Sequence, residues 1–504
     1  MRIPLDPHSR TPLHHQVEEY LRQAINSGSL TAGTRLPATR QLAADLGVSR
    51  ATIEAAYADL RADGLIASRM GSGNYVLAPA KLKLGRRVPN ADGPTDTLEW
   101  SAWQRSLREA AAESQPMASG PPAGSPAADF IDLAAGTGDP ALFPVDDFRR
   151  VLHNVMRRDG GRAVDYGDYR GYAPLRRTIA GLLSASSGMV ADPDEILITA
   201  GSQQAIALAT GTLTVPGDTV ITESPTYARA LELFRALGLR IVGVPVDGQG
   251  MDVDALERLL ADLAAAGVQP KLVYTMPNFH NPTGACLSPE RRGRLLALAI
   301  EHNLAVLEDD YAGDLRYDGR SQPALAAIDP GGMVLHTSTF AKMLMPGLRV
   351  GFLHAAGPVY DLLLRRKAAT DLATSNLMQR AVEAYVSVGR YGEHLQRSRR
   401  LYRRRRDAML TAIRTHLPSE ALVSPPLGGL FLWVRLPGGL TAGGLLPVAA
   451  AHGVGFAAGD GFCPDPRDGE GYVRLNFAAH PPERVTEGVR RLGLAIEDLR
   501  CQSL

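Results

Sequence analysis

The stretch Glu195–Leu213, EILITAGSQQAIALATGTL, decides how the chain is read. EILIT has the composition of a strand, SQQAIALATGTL that of a helix, and Gly201–Ser202 stands between them. The same step recurs downstream: DTVIT leads into YARALELFRALG and KLVYTM into PERRGRLLALAIEHN, and LAVLED, MVLHTS and RVGFLH follow as further strand-like runs. Short apolar strands alternating with helical segments give parallel strands joined by crossover helices, covered on both faces. The expected fold class is α/β with a mostly parallel central sheet, and no internal repeat of roughly 20 to 50 residues competes with it.

The chain has 504 residues, 45% hydrophobic and 21% charged, which suffices for a large fold with an appendage. A net charge of +1 points to neither acidic nor basic partners for the chain as a whole. Cys286, Cys463 and Cys501 are scattered with no CxxC spacing, so neither a disulfide framework nor a metal site is expected. The opening MRIPLDPHSR has no apolar core of a signal peptide, and no apolar run reaches about 18 residues. The expectation is a cytoplasmic protein with no membrane segment. Composition changes over 81–128, where proline, glycine and alanine accumulate around the helical patch EWSAWQRSLREAAAE. That is a linker, separating a head of residues 1–80 from a body of residues 129–504.

In the head, TRQLAADLGVSRATIEAAYADLRADG reads as two helices with Gly47 at the break and Ser49 capping the second. Ile53, Tyr57 and Leu60 recur at helical spacing and should face a small core. Arg50 and Thr52 lie near the N-terminal end of that helix, off the apolar stripe, where a groove-bound helix meets phosphates and base edges. LIASRMGSGNYV follows as two short strands around a glycine-bearing turn, a wing whose Gly71 and Gly73 allow close approach of backbone to phosphate. Eight arginines against seven acidic residues make the head only weakly basic, but Arg35, Arg40, Arg50 and Arg69 fall at turn, helix and wing positions. Over nearly its whole length the segment from Gly33 to Val76 resembles the winged helix of GntR-family regulators. The resemblance implies double-stranded operator DNA as partner, with Arg35, Arg40, Ser49, Arg50, Thr52, Arg69 and Gly71 as contacts.

The body contains Lys342 in STFAKMLMPGLR, which read alone is either a surface charge or a nucleophile. A lysine-bound aldehyde cofactor needs a carboxylate for its ring nitrogen, donors to its phenolic oxygen, an aromatic against its ring and a phosphate cradle. Asp309 ends the buried-looking run LAVLED, at the strand edge where open α/β sheets bind ligands. Tyr311, two residues on, and Asn281 in NFHNPTG can reach a phenolic oxygen; read alone they are a loop residue and a turn. Gly201 and Ser202 open a helix and so offer N–H groups to an anion, with Thr339 and Arg349 bracketing Lys342 as further phosphate ligands. Tyr227 in ESPTY supplies the aromatic face.

From about Asp129 onward these features resemble fold-type I, class I aminotransferases. The resemblance makes pyridoxal 5'-phosphate the cofactor and Lys342 its Schiff-base lysine. It also places Tyr166, in DYGDYRGY, at the phosphate of a neighbouring subunit, and makes Arg474, in YVRLNFA, the clamp for a substrate or effector carboxylate. Ala341 departs from the family pattern, where many members carry serine. HLQRSRRLYRRRRDAML, His394 to Leu410, is expected to be a solvated helix, packed on a partner subunit.

Winged helix, linker and aminotransferase-like body in this order resemble the MocR branch of the GntR family. The resemblance implies a homodimeric, head-to-tail regulator that senses the cofactor, or a small amino-acid or amine effector, through an aldimine at Lys342. Two alternatives stand beside it: an aminotransferase with an appended DNA-binding head, and a body that keeps the fold for dimerisation alone.

Overall fold

The computed structural model describes residues 3–6, 9, 11–69, 73–77 and 129–502. The chain separates into two compact units, divided after Gln115. The linker expected over 81–128 and the wing residue Gly71 lie outside the described residues, as does the side chain of Arg69.

The described residues of the N-terminal unit form three helices, α1 (Leu13–Asn26), α2 (Thr39–Leu46) and α3 (Arg50–Ala62), and an antiparallel hairpin of β1 (Ile66–Arg69) and β2 (Gly73–Val76). Its core is built from Val17, Leu21, Leu42, Ile53, Tyr57 and Leu60, so the apolar stripe of α3 faces inward as its spacing predicts. Ser49 caps α3 by accepting the Thr52 N–H at 3.1 Å. Gly47 ends α2 with φ 67°, a conformation that favours glycine, and this left-handed residue turns the chain toward α3.

The larger unit opens with β3 (Ile131–Asp132) and continues into an eight-stranded sheet. In chain order its strands are β4 (Ile196–Thr199), β5 (Thr219–Ser224), β6 (Arg240–Asp247), β7 (Gly250–Met251), β8 (Leu272–Thr275), β9 (Ala305–Asp309), β10 (Val334–Thr339) and β11 (Gly351–His354). Across the sheet they run β4-β11-β10-β9-β8-β5-β6-β7, with only β7 and β11 antiparallel to the rest. Alternate residues face opposite sides: Val220, Leu272 and Leu307 enter one apolar cluster, and Ile221, Val273 and Val306 another. Burial on both faces is why these strands read as unbroken apolar runs. RVGFLH differs from expectation in direction, since β11 runs against its neighbours between β4 and β10.

A smaller antiparallel sheet follows, ordered β12-β13-β16-β15, from β12 (Leu422–Val423), β13 (Phe431–Arg435), β15 (Ala457–Ala458) and β16 (Tyr472–Asn476), while β14 (Val454–Gly455) pairs with β3. The helix Arg390–His416 corrects the expectation for His394 to Leu410. Arg405 and Arg406 are only 3% and 7% exposed. Arg405 donates to the Ala478 carbonyl at 2.6 Å and to Asp139 at 2.7 Å, and Arg406 to Asp318 at 2.6 Å. Buried carbonyls and carboxylates hold these guanidinium groups in place of water. Among the described residues no helix is long and apolar enough to cross a membrane.

Candidate functional site

Because the strands are parallel, their carboxyl ends share one edge of the sheet. Gly201 and Ser202 follow β4, Tyr227 follows β5, Asn281 follows β8, Asp309 ends β9, and Lys342 lies in the turn after β10. Residues far apart in sequence are thereby gathered at a single edge.

The chain has five lysines, Lys81, Lys83, Lys271, Lys342 and Lys367. Lys271 is exposed just before β8, at the opposite end of the strands, and buried Lys367 is bound to Asp371 at 2.7 Å and Thr374 at 3.2 Å. Of the three described lysines only Lys342 stands at the carboxyl edge. Its half-buried amine donates to the Gly136 carbonyl at 2.8 Å and, among the described residues, is paired with no carboxylate. Burial, then the nearby charges of Arg474 and Arg349, lower its pKa from the ordinary 10.5 to about 8. A lysine shifted down in this way is neutral above that pH and protonated below it. Covalent trapping of pyridoxal phosphate on Lys342 by borohydride should therefore accelerate as pH rises through about 8 and level off beyond it. A rate still climbing steeply near pH 10 would instead describe an ordinary exposed lysine.

Asp309 is 1% exposed. Its Oδ2 accepts the Tyr274 hydroxyl at 2.8 Å, while Oδ1 has no partner among the described residues. Burial pushes its pKa up to about 7, against the opposing Tyr274 bond. A buried carboxylate with one oxygen unspent calls for a donor, and a protonated ring nitrogen is one. Tyr274 is missing from the residues that the sequence motifs single out. The available signal is a phenol in the apolar run LVYTM, since a buried hydroxyl needs a partner.

On the β4 side, Gly201 has φ 94° and precedes a helix, Ser202–Leu213, whose N-terminus no side chain caps. A Cβ on Gly201 would lie 2.7 Å from the Arg349 guanidinium, so only glycine lets this cation close over the helix start. Arg349 is exposed, has φ 50° and donates to the Ala200 carbonyl. Helix N–H groups, the Ser202 hydroxyl and the Arg349 guanidinium are thus donors at this end of the edge, a chemistry that suits an anion. Thr339 is buried and braces the lysine turn instead, donating to the Val350 carbonyl at 3.3 Å and accepting the Ala341 N–H at 3.1 Å.

Tyr227 is half-buried, and burial followed by the Asp309 charge raises its pKa to about 12, so it stays a neutral phenol. Tyr311 is buried, and its hydroxyl donates to the Phe279 carbonyl at 2.7 Å. A role toward a ligand oxygen requires that bond to be exchanged. Asn281 accepts from Arg474 Nη1 at 3.2 Å. Arg474 also donates to the Ala134 carbonyl at 2.6 Å, keeps Nε unpartnered, and lies 4.2 Å from the Phe431 ring centre. Burial lowers its pKa to about 10, yet it stays charged at neutral pH. Among the described residues no carboxylate pairs with it, so it is a positive charge awaiting an anion. Tyr166 is apart from this group, 83% exposed.

In the N-terminal unit Arg35, Arg40 and Arg50 are exposed. Arg50 pairs with Glu54 at 2.7 Å, and the Ser49 and Thr52 hydroxyls lie 2.8 Å apart within the cap. Those two hydroxyls therefore shape the helix start before they touch anything else.

Two family models match the chain: "Aminotransferase class I and II" over residues 128–492 and "Bacterial regulatory proteins, gntR family" over residues 13–76. The chain is 34% identical over 487 residues to the uncharacterized HTH-type transcriptional regulator YdcR of Escherichia coli, covering 96% of this chain and 99% of that one. It is 31% identical over 492 residues to the probable rhizopine catabolism regulatory protein MocR of Rhizobium meliloti, covering 97% and 94%. Among solved structures it is similar to LysN, an α-aminoadipate aminotransferase from Thermus thermophilus complexed with N-(5'-phosphopyridoxyl)-L-leucine. The TM-score is 0.72 at 33% identity, covering 80% of this chain and 100% of that one.

Proposed function

The chain belongs to the aminotransferase class I and II family and carries a gntR-family regulatory domain at its N-terminus, and from that premise we propose a regulator whose large unit holds pyridoxal phosphate at Lys342 and answers to an amino-acid or amine effector. The observation that carries this reading is the strand edge itself. Unpaired Lys342, the unspent Oδ1 of Asp309 and the Gly201–Arg349 donors lie together in one chain with a complete helix-turn-helix.

The residues present fit the cofactor. Asp309 would hold the ring nitrogen, Asn281 and Tyr311 the phenolic oxygen, Tyr227 a ring face, and Gly201, Ser202 and Arg349 the phosphate side, with Thr339 bracing the turn that carries Lys342. Bound there, the cofactor supplies an aldehyde that combines reversibly with primary amines. Lys342 is that amine in the resting state, and an effector amine competes with it while Arg474 holds the effector's carboxylate. The exposure of Tyr166 supports a homodimer, head-to-tail, in which it reaches the partner subunit's phosphate side. The effector shifts the heads on operator DNA only if it binds the two conformations with different affinity. In the head, Arg35, Arg40, Arg50 and the wing at Arg69 and Gly71 meet the duplex, and Ser49 and Thr52 set the start of α3.

Aminotransferase activity is the second reading, favoured by an unpaired, buried Arg474 beside a lysine that can serve as base. Repeated turnover of an amino acid with a keto-acid acceptor would establish it. Regulation is tested by footprinting the DNA upstream of the protein's own gene and its neighbours. A protected site is expected, and no protection with or without cofactor would contradict the regulator.

A further inference from the structure

The face of β9 and β10 turned away from Asp309 carries a second set of buried charges. The two strands pair in register His336↔Glu308 and Thr337↔Asp309. Since alternate residues face opposite sides, Glu308 and His336 lie behind the sheet from Asp309. Both are fully buried. Glu308 accepts the Leu325 and Ala326 N–H groups at 2.8 and 3.1 Å and meets His336 Nδ1 at 2.9 Å. Asp310, the next residue along, accepts from Asn278 at 3.0 Å, and Asn278 in turn accepts from Arg292 at 2.8 Å. Glu308 and Asp310 therefore stand behind Asp309 with the His336 imidazole against Glu308, and two strands further on buried Glu223, 3.4 Å from His280, is a third acid on that face.

His336 Nε2 has no protein partner. It lines a small cavity of about 30 Å³ with Asp310, Asp314, Ser338 and Tyr391, and Tyr391 donates to Asp314 at 3.0 Å. Leu183, Phe340 and Met343 are among its apolar walls, and a cavity of that size accommodates about two water molecules against the polar groups, enough to solvate a second imidazole proton. Across the neighbouring strand pair His336 stands opposite His354. Burial and then the His336 charge push His354 down to about 4, so it is neutral, although Glu195 lies 3.5 Å away. For His336 burial works in the same direction but Glu308 outweighs it, and its pKa rises. Of the two facing imidazoles, only His336 is hydrogen-bonded to a carboxylate, and that contact favours its protonated form.

We propose that His336 is a positioning residue for the cofactor: held against Glu308, it supplies the positive charge that offsets Glu308 and Asp310 behind Asp309 and keeps Asp309 an anion facing the ring nitrogen. This rests on the role given to Asp309 above. Without the imidazolium, Asp310 and Glu223 act on Asp309 with Glu308 no longer neutralised beside them, and the Tyr274 hydrogen bond is left to oppose them. Asp309 then takes up a proton at higher pH and loses its hold on a protonated ring nitrogen there. The sign is that of any carboxylate whose pKa is raised: its anionic function is lost earlier as pH falls.

The test uses the full chain titrated with pyridoxal phosphate by absorbance from pH 6 to 9, beside thermal unfolding. His336→Phe removes the charge and keeps a ring, and His336→Gln keeps a donor toward Glu308. Both should bind the cofactor about fivefold more weakly at pH 7, with the affinity profile displaced upward by about one pH unit. Adding Glu308→Gln to His336→Gln removes the acid that His336 offsets and should restore most of the affinity. Single variants with an undisplaced profile would overturn the proposal, whether or not their unfolding temperature falls, because a packing role alone does not move the profile. Failure of the wild type to bind the cofactor at all would instead overturn the site assignment and the proposal with it.

Discussion

Replacing Lys342 by alanine removes the visible absorbance of bound pyridoxal phosphate and all borohydride-trapped label, while the chain remains folded. The substitution deletes one hydrogen bond, to the Gly136 carbonyl, and a half-buried side chain paired with no acid among the described residues. A single neutral acceptor of this kind contributes about 1 kcal/mol, small beside the stability of a domain. The loss of cofactor retention should nevertheless be complete. Lys271 is at the wrong end of β8 and Lys367 is bound to Asp371 and Thr374, so neither described lysine can replace it. Absorbance and borohydride labelling after dialysis measure this directly. Label persisting in Lys342→Ala at the wild-type level would place the attachment elsewhere.

The second large effect is at the head. The double replacement Arg40→Ala, Arg50→Ala should weaken operator binding by roughly a hundredfold or more, taking about 1.5–3 kcal/mol for each charge-assisted contact. Folding should be nearly unaffected, because Arg40 has no side-chain partner among the described residues and Arg50 only the exposed pair with Glu54, a kind of interaction that contributes little. The salt dependence is the more specific readout. Each lost phosphate contact lowers the slope of log affinity against log salt by about one, so the double variant should lose about two. Fluorescence anisotropy at several salt concentrations measures both quantities. An unchanged slope would mean that these arginines do not lie on the backbone of the duplex.

The sheet was legible because each central strand is buried on both faces and announces itself as a short apolar run. The candidate site was legible for a related reason: in a parallel sheet, whatever ends or follows a strand lands on one edge, so Asp309 at the end of LAVLED and Lys342 after MVLHTS share that edge without any contact having to be foreseen. Pairings across strands were not legible. That Tyr274 donates to Asp309, 35 residues away, depends on the register of β8 against β9, which no local pattern states. The arginines of the helix Arg390–His416 misled for the opposite reason. Charge-rich helical composition describes a wet surface unless carbonyls and carboxylates from elsewhere arrive, as Ala478, Asp139 and Asp318 do for Arg405 and Arg406. The proton of Tyr311 likewise went to the Phe279 carbonyl, a partner set by the turn after β8 and invisible in the motif.

The central claim is that occupancy at Lys342 is felt at the DNA. The most direct measurement is the affinity of the cofactor-loaded full chain for its footprinted operator, with and without the amino acid that alters the cofactor spectrum, repeated with Lys342→Ala. A coupling of about 1–3 kcal/mol, a roughly 5- to 150-fold change in affinity, is expected in the wild type, and none in the variant. Equal operator affinity with and without the amino acid in the wild type, or the same shift in Lys342→Ala, would contradict it.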